Sequence, residues 1–317
     1  MTNVLKTFVS VATLSLASMS AAEAYENIFV FGDSLSDQGN LAAVSEEYQF
    51  LYNPPYNAGR FTNGLTAVEI LASNLELSLA PSYHLSGQQH GNNYAIAGAR
   101  AATQEPIDLD TQVNSFLGLN GFVADPDNLY VVMIGGNDIR LARDTLDGSV
   151  VVSAANNVAA NIAKLIESGA ENILVANAAD ISQIPETDLI VESSGVKATY
   201  RVAEAYSALY NESLENAVAA LQAAHPKVQI KEFDLAHFIS YAMDKYRKFG
   251  FRNAEDACWS PETGGFTIGC ENGVNMNDYI YFDNIHPTQR VHAAAAEKMT
   301  KIVKHKSRKK RDREDRK

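Results

Sequence analysis

Ile28-Phe29-Val30-Phe31-Gly32-Asp33-Ser34-Leu35-Ser36-Asp37-Gln38-Gly39-Asn40 opens as an apolar run of strand type and breaks at Gly32. That pattern puts Ser34 on the turn leaving a buried strand, where its hydroxyl is an exposed candidate nucleophile. Asp33 and Ser34 are equally the residues that cap a following helix, so the segment by itself leaves both readings open. A base, a carboxylate and prearranged hydrogen-bond donors elsewhere in the chain would decide between them.

Outward from this stretch, strand and helix alternate. Ile28 to Phe31, Tyr94 to Ala97, Leu129 to Ile134, Asn172 to Ala176 and Val228 to Phe233 read as strands. Thr66 to Asn74, Val150 to Ser168, Tyr200 to Ala224 and about Thr288 to Val303 read as helices. Continuous apolar strands alternating with helices imply an α/β fold with a parallel sheet covered on both faces. In such sheets sites form at the carboxyl ends of the strands.

Both ends of the chain differ from its body. Met1 to Ala24 carries Lys6, a mostly apolar run from Thr7 to Ala17 and the small-x-small end Ala22-Glu23-Ala24. This is the pattern of a cleaved secretory signal, too short in its apolar part to span a bilayer. Cleavage after Ala24 and a secreted, soluble protein are expected, extracellular or periplasmic. From Lys301 to Lys317 ten Lys or Arg face three Asp or Glu, a charge of +7, so the net -12 of the chain leaves -19 on the residues before them. A body that acidic repels phosphate backbones and argues against nucleic acid as a partner. Residues 304–317 have no apolar periodicity and read as a basic, disordered tail that could at most touch an anionic membrane. Between the two ends, residues 25–303 contain no linker-like run and no repeat, so one domain is expected. The two cysteines, Cys258 and Cys270, bracket a stretch rich in Gly, Pro, Ser and Thr. In a secreted chain they are expected to form a disulfide, and they are too few for a zinc site.

Four segments bring chemistry to the expected strand ends: Gly32-Asp33-Ser34, Gly98-Ala99, Gly135-Gly136-Asn137-Asp138 and Asp283-Asn284-Ile285-His286-Pro287-Thr288. A serine hydroxyl is a weak nucleophile until an imidazole accepts its proton, and that imidazole needs a carboxylate to fix its tautomer. His286 and Asp283 supply both from one loop, and Pro287 biases His286 away from helical geometry. The backbone N–H groups of Ser34 and Gly98 and the amide of Asn137 would serve a developing oxyanion. No cofactor or metal is called for. Asp234 and His237 form a rival dyad, without a proline to hold the histidine out of a helix. Each segment has a plainer reading as a turn, a cap or a surface histidine; their joint occurrence in this order does not.

With those residues in place the chain resembles the GDSL family of the SGNH hydrolase superfamily. The resemblance rests on Phe31-Gly32-Asp33-Ser34-Leu35-Ser36-Asp37, Asn93-Tyr94-Ala95-Ile96-Ala97-Gly98-Ala99, Gly135-Gly136-Asn137-Asp138 and Asp283-Asn284-Ile285-His286-Pro287, and spans the body from first strand to last helix. Asn57-Ala58-Gly59-Arg60-Phe61-Thr62-Asn63-Gly64 is similar to a segment of the larger secreted members, which include phospholipases, lysophospholipases, acyltransferases and choline-ester hydrolases. Ala97 departs from the pattern where many members carry a second glycine. The resemblance implies a flavodoxin-like three-layer α/β/α sandwich with Ser34 as nucleophile, His286 as base, Asp283 as its orienter, and Ser34, Gly98 and Asn137 as oxyanion donors. It implies ester hydrolysis through an acyl-serine, with a lipid or small ester as substrate and transient contact with a membrane or micelle surface. Acyl transfer to a sterol or other alcohol, short-chain or choline-ester hydrolysis, carbohydrate O-deacetylation and ligand binding without turnover are the alternatives. The segment between Cys258 and Cys270, carrying Trp259 and Phe266, is either a plain stapled loop or part of the acyl-binding wall.

Overall fold

The computed structural model describes residues 25–87 and 90–305; the expected signal segment 1–24 and residues 306–317 of the basic tail lie outside the described residues. In chain order the main elements are β1 (Ile28–Gly32), α1 (Asn40–Val44), α2 (Ala67–Asn74), α3 (Leu109–Leu119), β2 (Leu129–Met133), α4 (Gly136–Thr145), α5 (Ser149–Glu167) and β3 (Asn172–Ala176). They continue with α6 (Pro185–Ser194), α7 (Ala198–Ala224), β4 (Gln229–Phe233), α8 (Leu235–Asp244), β5 (Asn253–Ala257), β6 (Trp259–Ser260), β7 (Gly265–Phe266), β8 (Tyr279–Tyr281) and α9 (Gln289–Lys304).

β1 to β4 pair in parallel in that order, with Val30, Val131, Leu174 and Lys231 in one register line. On the other side of β1 runs the expected strand around Tyr94, as an extended edge rather than a full strand: Tyr94 N–H donates to Val30 O (2.7 Å) and Ile96 N–H to Gly32 O (3.1 Å). In chain order the arms therefore lie second, first, third, fourth, fifth, the arrangement of flavodoxin-like sheets, with the reversal of winding at β1. β2 is buried at every position, as a strand covered on both faces must be, whereas β4 carries the half-exposed Lys231 and exposed Glu232 of a sheet edge.

Two helical layers close the sandwich. α2 packs on α9 and α9 on β4; α3, α5 and α7 pack side by side, with α3 on β1 and α7 on β4. α5 has the length and hydropathy of a membrane span, but half of it is buried among α3, α4 and α7. α4 follows the carboxyl end of β2 and packs against α5 and α7. It starts at Gly135, whose φ of 128° and whose approach to Tyr210, 2.2 Å from where a Cβ would stand, exclude any larger residue.

Apart from Tyr94 to Ala97, which forms only the extended edge, the expected helices and strands are present, with ends shifted by no more than two residues, the usual scatter at fraying termini. The helices α1, α3, α4, α6 and α8 and the short strands β5 to β8 are additions. α3 carries Gln112 on its buried face, where the amide accepts from Gly32 N–H (2.8 Å) and donates to Gly32 O (2.9 Å), so the apolar stripe is broken by a group that closes the end of β1. Cys258 and Cys270 are joined in a disulfide, both fully buried.

Candidate active site

β1 stops where only glycine fits: a Cβ on Gly32 would lie 2.4 Å from the Met133 carbonyl oxygen of β2. The chain then turns tightly, the N–H groups of Ser36 and Asp37 both donating to Asp33 O at 3.0 Å and that of Leu35 to Asp33 Oδ1 at 3.0 Å. Ser34 rides on this turn, half-buried. The capping alternative is not what the backbone does: α1 begins six residues later with Gly39 at its N-cap. Asp37 does the capping instead, taking the N–H groups of Gly39 and Asn40 at 2.7 Å each.

Asp283 to His286 form the turn between β8 and Pro287, closed by Phe282 N–H to His286 O at 2.8 Å and by the pairing of Tyr281 with Pro287. Asp283 Oδ1 accepts the N–H groups of Ile285 (2.9 Å) and His286 (2.7 Å). Its carboxylate also faces His286 Nδ1, at 2.9 Å from Oδ1 and 2.8 Å from Oδ2. A carboxylate there holds the ring proton on Nδ1 and leaves Nε2 as an acceptor. Nε2 lies 2.8 Å from Ser34 Oγ, so residues from opposite ends of the body meet within proton-transfer reach. The segment 57–64 clamps this turn from the side. Thr62 Oγ1 donates to Pro287 O (2.9 Å), Asn63 Oδ1 accepts Gln289 N–H (2.8 Å), and the Phe61 ring lies 5.0 Å from that of His286. Arg60 anchors the clamp by a paired contact with Glu69 on α2 (2.7 and 2.6 Å).

Gly98 has φ 84°, and a Cβ there would touch nothing closer than Ile107 Cδ1 at 3.6 Å, so its backbone conformation and not lack of room calls for glycine. Ala97 has no such positive φ, so alanine fits there. The loop is stitched to the Ser34 turn by Ala97 N–H to Asp37 Oδ2 (2.8 Å) and by the Asn40 amide to the carbonyls of Asn93 and Ala95 (2.8 Å each). On its far side Asn137 Nδ2 donates to Ala99 O (3.0 Å), and Asp138 accepts the N–H groups of Ala101 and Ala102. The three segments that could supply oxyanion donors are thus one hydrogen-bonded body.

Burial pushes Asp33 from the usual carboxylate value near 3.8 up to about 6, against the Leu35 N–H and the nearby His286 and Arg140. Burial likewise raises Asp138 to about 6, against the Ala101 and Ala102 N–H groups. The folded state therefore holds these protons more tightly than the unfolded chain, and stability falls as pH rises from about 4 to about 6. Asp33→Asn keeps the acceptor for Leu35 N–H and removes the buried charge. It is expected to be more stable than the parent at pH 7.5 by about 1–3 kcal/mol and equal to it near pH 4. Urea denaturation at the two pH values measures the difference; an equal gain at both would refute it.

The rival pair is not a dyad. Asp234 caps α8 through His237 N–H (3.0 Å), and the His237 ring stacks on Tyr241. His292 is buried, pushed down to about 3 by that burial, and its Nδ1 accepts Ala67 N–H. Residues that sequence reasoning did not single out are Asp37, Arg140 and Glu186. Asp37 lies within residues 28–40, but its role as a hub of backbone N–H groups depends on a loop sixty residues away.

The family model for GDSL-like lipase/acylhydrolase matches residues 28–299. A phosphatidylcholine-sterol acyltransferase of Aeromonas hydrophila is 25% identical over 92% of this chain and 95% of its own. GDSL esterase/lipase 5 of Arabidopsis thaliana is 26% identical over 90% and 86%, and a GDSL lipase of Tanacetum cinerariifolium 26% over 88% and 84%.

Proposed function

The chain belongs to the GDSL-like lipase/acylhydrolase family and is a carboxylic ester hydrolase, and on that premise we propose that it cleaves acyl esters of lipids through an acyl-serine intermediate. The observation that carries this reading is the 2.8 Å approach of His286 Nε2 to Ser34 Oγ with the Asp283 carboxylate on the other ring nitrogen. In the first step Ser34 Oγ attacks the acyl carbon as its proton passes to His286, and the resulting imidazolium is stabilised by Asp283. The carbonyl oxygen becomes an oxyanion, received by the N–H groups of Ser34 and Gly98 and the amide of Asn137. The C–O bond to the alcohol then breaks, the alcohol takes the proton from His286, and water repeats the sequence to free the acid.

Lipid esters come first because the surroundings of His286 are aromatic. Phe61 lies against the imidazole; Tyr56 contacts Phe61 and Trp259, and Trp259 contacts Phe266 of the disulfide-closed loop. That continuity supports the loop as part of an acyl-binding wall rather than a plain staple. Secretion through cleavage after Ala24, one domain over 25–303 and a basic tail complete the reading. A second reading, transfer of the acyl group to a sterol or other alcohol, is favoured by the name of the Aeromonas hydrophila relative, since an acyl-serine accepts whichever nucleophile reaches it.

A panel of acetyl, butyryl and palmitoyl esters with lysophosphatidylcholine, run with and without an added sterol, tests the substrate. Release of long-chain acid is expected. Acetate release alone would overturn the lipid reading in favour of an O-deacetylase, and palmitoyl sterol formation in excess of free palmitate would establish the transferase.

A further inference from the structure

We propose that the Arg140–Glu186 ion pair is a positioning device for the oxyanion site, holding the Asn137 amide with its nitrogen outward and tying it to the Asp283–His286 turn. The inference rests on the catalytic reading above and adds to it two residues that touch neither the substrate nor the reacting oxygen.

Asn137 and Arg140 lie one turn apart on α4 and so share a face. Arg140 Nη1 donates to Asn137 Oδ1 at 3.0 Å. A guanidinium has donors only, so it can face the amide oxygen and never the amide nitrogen. Nδ2 is thereby turned towards the Gly98 loop, where one of its two N–H groups donates to Ala99 O at 3.0 Å. The other is left for an oxygen carrying negative charge. Two opposite demands, an acceptor for Arg140 and a donor for Ala99, leave the amide one orientation.

The guanidinium is itself held. Its Nε donates to Glu186 Oε2 at 2.8 Å and its Nη2 to Glu186 Oε1, the two-point geometry that gives direction as well as energy. Glu186 takes a further donor from Arg143 Nη2 at 3.1 Å, and Arg143 Nη1 donates to Thr187 Oγ1 at 3.0 Å. Burial would raise the Glu186 carboxyl, but Arg140 and Arg143 outweigh it and hold the group below the usual carboxylate range, charged. From the first turn of α6, the backbone N–H of Glu186 donates to Asn284 O at 2.8 Å, inside the turn that carries Asp283 and His286. One ion pair therefore spans the interval between the donor for the oxyanion and the base for the nucleophile. Asp33, Asp144 and Asp283 also face Arg140.

An oxyanion donor acts because it is already aimed when charge develops. An Asn137 amide released from Arg140 spends part of its time turned or tilted away, and the transition state bears that cost while substrate binding does not. The test is kcat and KM for 4-nitrophenyl butyrate in Arg140→Ala and Glu186→Gln, each alone and combined with Asn137→Ala, with thermal melts of all variants. Asn137→Ala alone is expected to lower kcat about 10²- to 10³-fold. Arg140→Ala is expected to lower kcat about 10- to 100-fold with KM within about twofold, and Glu186→Gln to lower it less. In the Asn137→Ala background both further losses are expected to shrink below about threefold, because a residue acting through Asn137 has nothing left to act on. The same loss in both backgrounds, or an unchanged kcat in Arg140→Ala, overturns the proposal. Should Arg140→Ala melt below the assay temperature, Glu186→Gln decides by the same comparison. The catalytic reading fails on a different result, near-normal turnover in Ser34→Ala, which leaves the coupling between Arg140 and Asn137 measurable.

Discussion

Ser34→Ala is expected to lower kcat for 4-nitrophenyl butyrate by about 10⁴-fold or more while the protein stays folded. The residual rate should be what the oxyanion donors and His286 achieve with water alone, since neither depends on the Ser34 side chain. The backbone N–H of Ser34 remains in place, and the turn is closed by Asp33 O and Oδ1, not by the serine hydroxyl. Loss of one hydrogen bond to His286 Nε2 from a half-buried hydroxyl changes stability by only about 1 kcal/mol. A large fall in turnover with an unchanged melting profile therefore isolates the nucleophile. A loss smaller than about tenfold would mean that the 2.8 Å contact with His286 is a structural hydrogen bond and that the acyl-serine route is wrong.

Asp283→Asn is expected to have the second largest effect, about 10⁴-fold in kcat, for a different reason. Asparagine keeps one oxygen, which the N–H groups of Ile285 and His286 already occupy in the closed turn. Its NH2 then faces His286 Nδ1 and forces that nitrogen to become the acceptor. The ring proton moves to Nε2 and points at Ser34 Oγ, so the imidazole can no longer accept the serine proton. Geometry is retained and the tautomer is wrong. Kinetics together with the 15N chemical shifts of His286 test this: proton occupancy should move from Nδ1 to Nε2. Full activity in the variant, or loss accompanied by an unchanged tautomer, would refute the argument.

The strands were legible where burial on both faces demands continuous apolar residues, as in Leu129 to Met133, and the long helices where one stripe is apolar without interruption. α4 was not, because Gly135-Gly136-Asn137-Asp138 is written as a turn and becomes a helix start only through the fit of Gly135 against Tyr210. α8 was obscured by its own cap, since Asp234 and His237 have the spacing of a dyad and serve the backbone instead. In the site, Asp283 and His286 could be read together because they are three residues apart and joined by one tight turn. Arg140 and Glu186 could not: 46 positions separate them, and neither type of residue is unusual on a helix surface. What joins them is the packing of both α4 and α6 against α7, a property of the assembled fold with no local trace. Phe61 stood in a segment noticed only for its resemblance to secreted family members, and its contact with His286 gives that segment a physical reason.

Ser34 and His286 are 252 positions apart, with the serine on the turn after the first strand of the sheet and the imidazole just ahead of the last helix. A ribosome makes the nucleophile well before the proton acceptor. Until the final turn docks, a nascent or truncated chain carries a serine with no partner to activate it. An ester hydrolase with its parts in this order stays inert until nearly all of its catalytic domain has been made and folded.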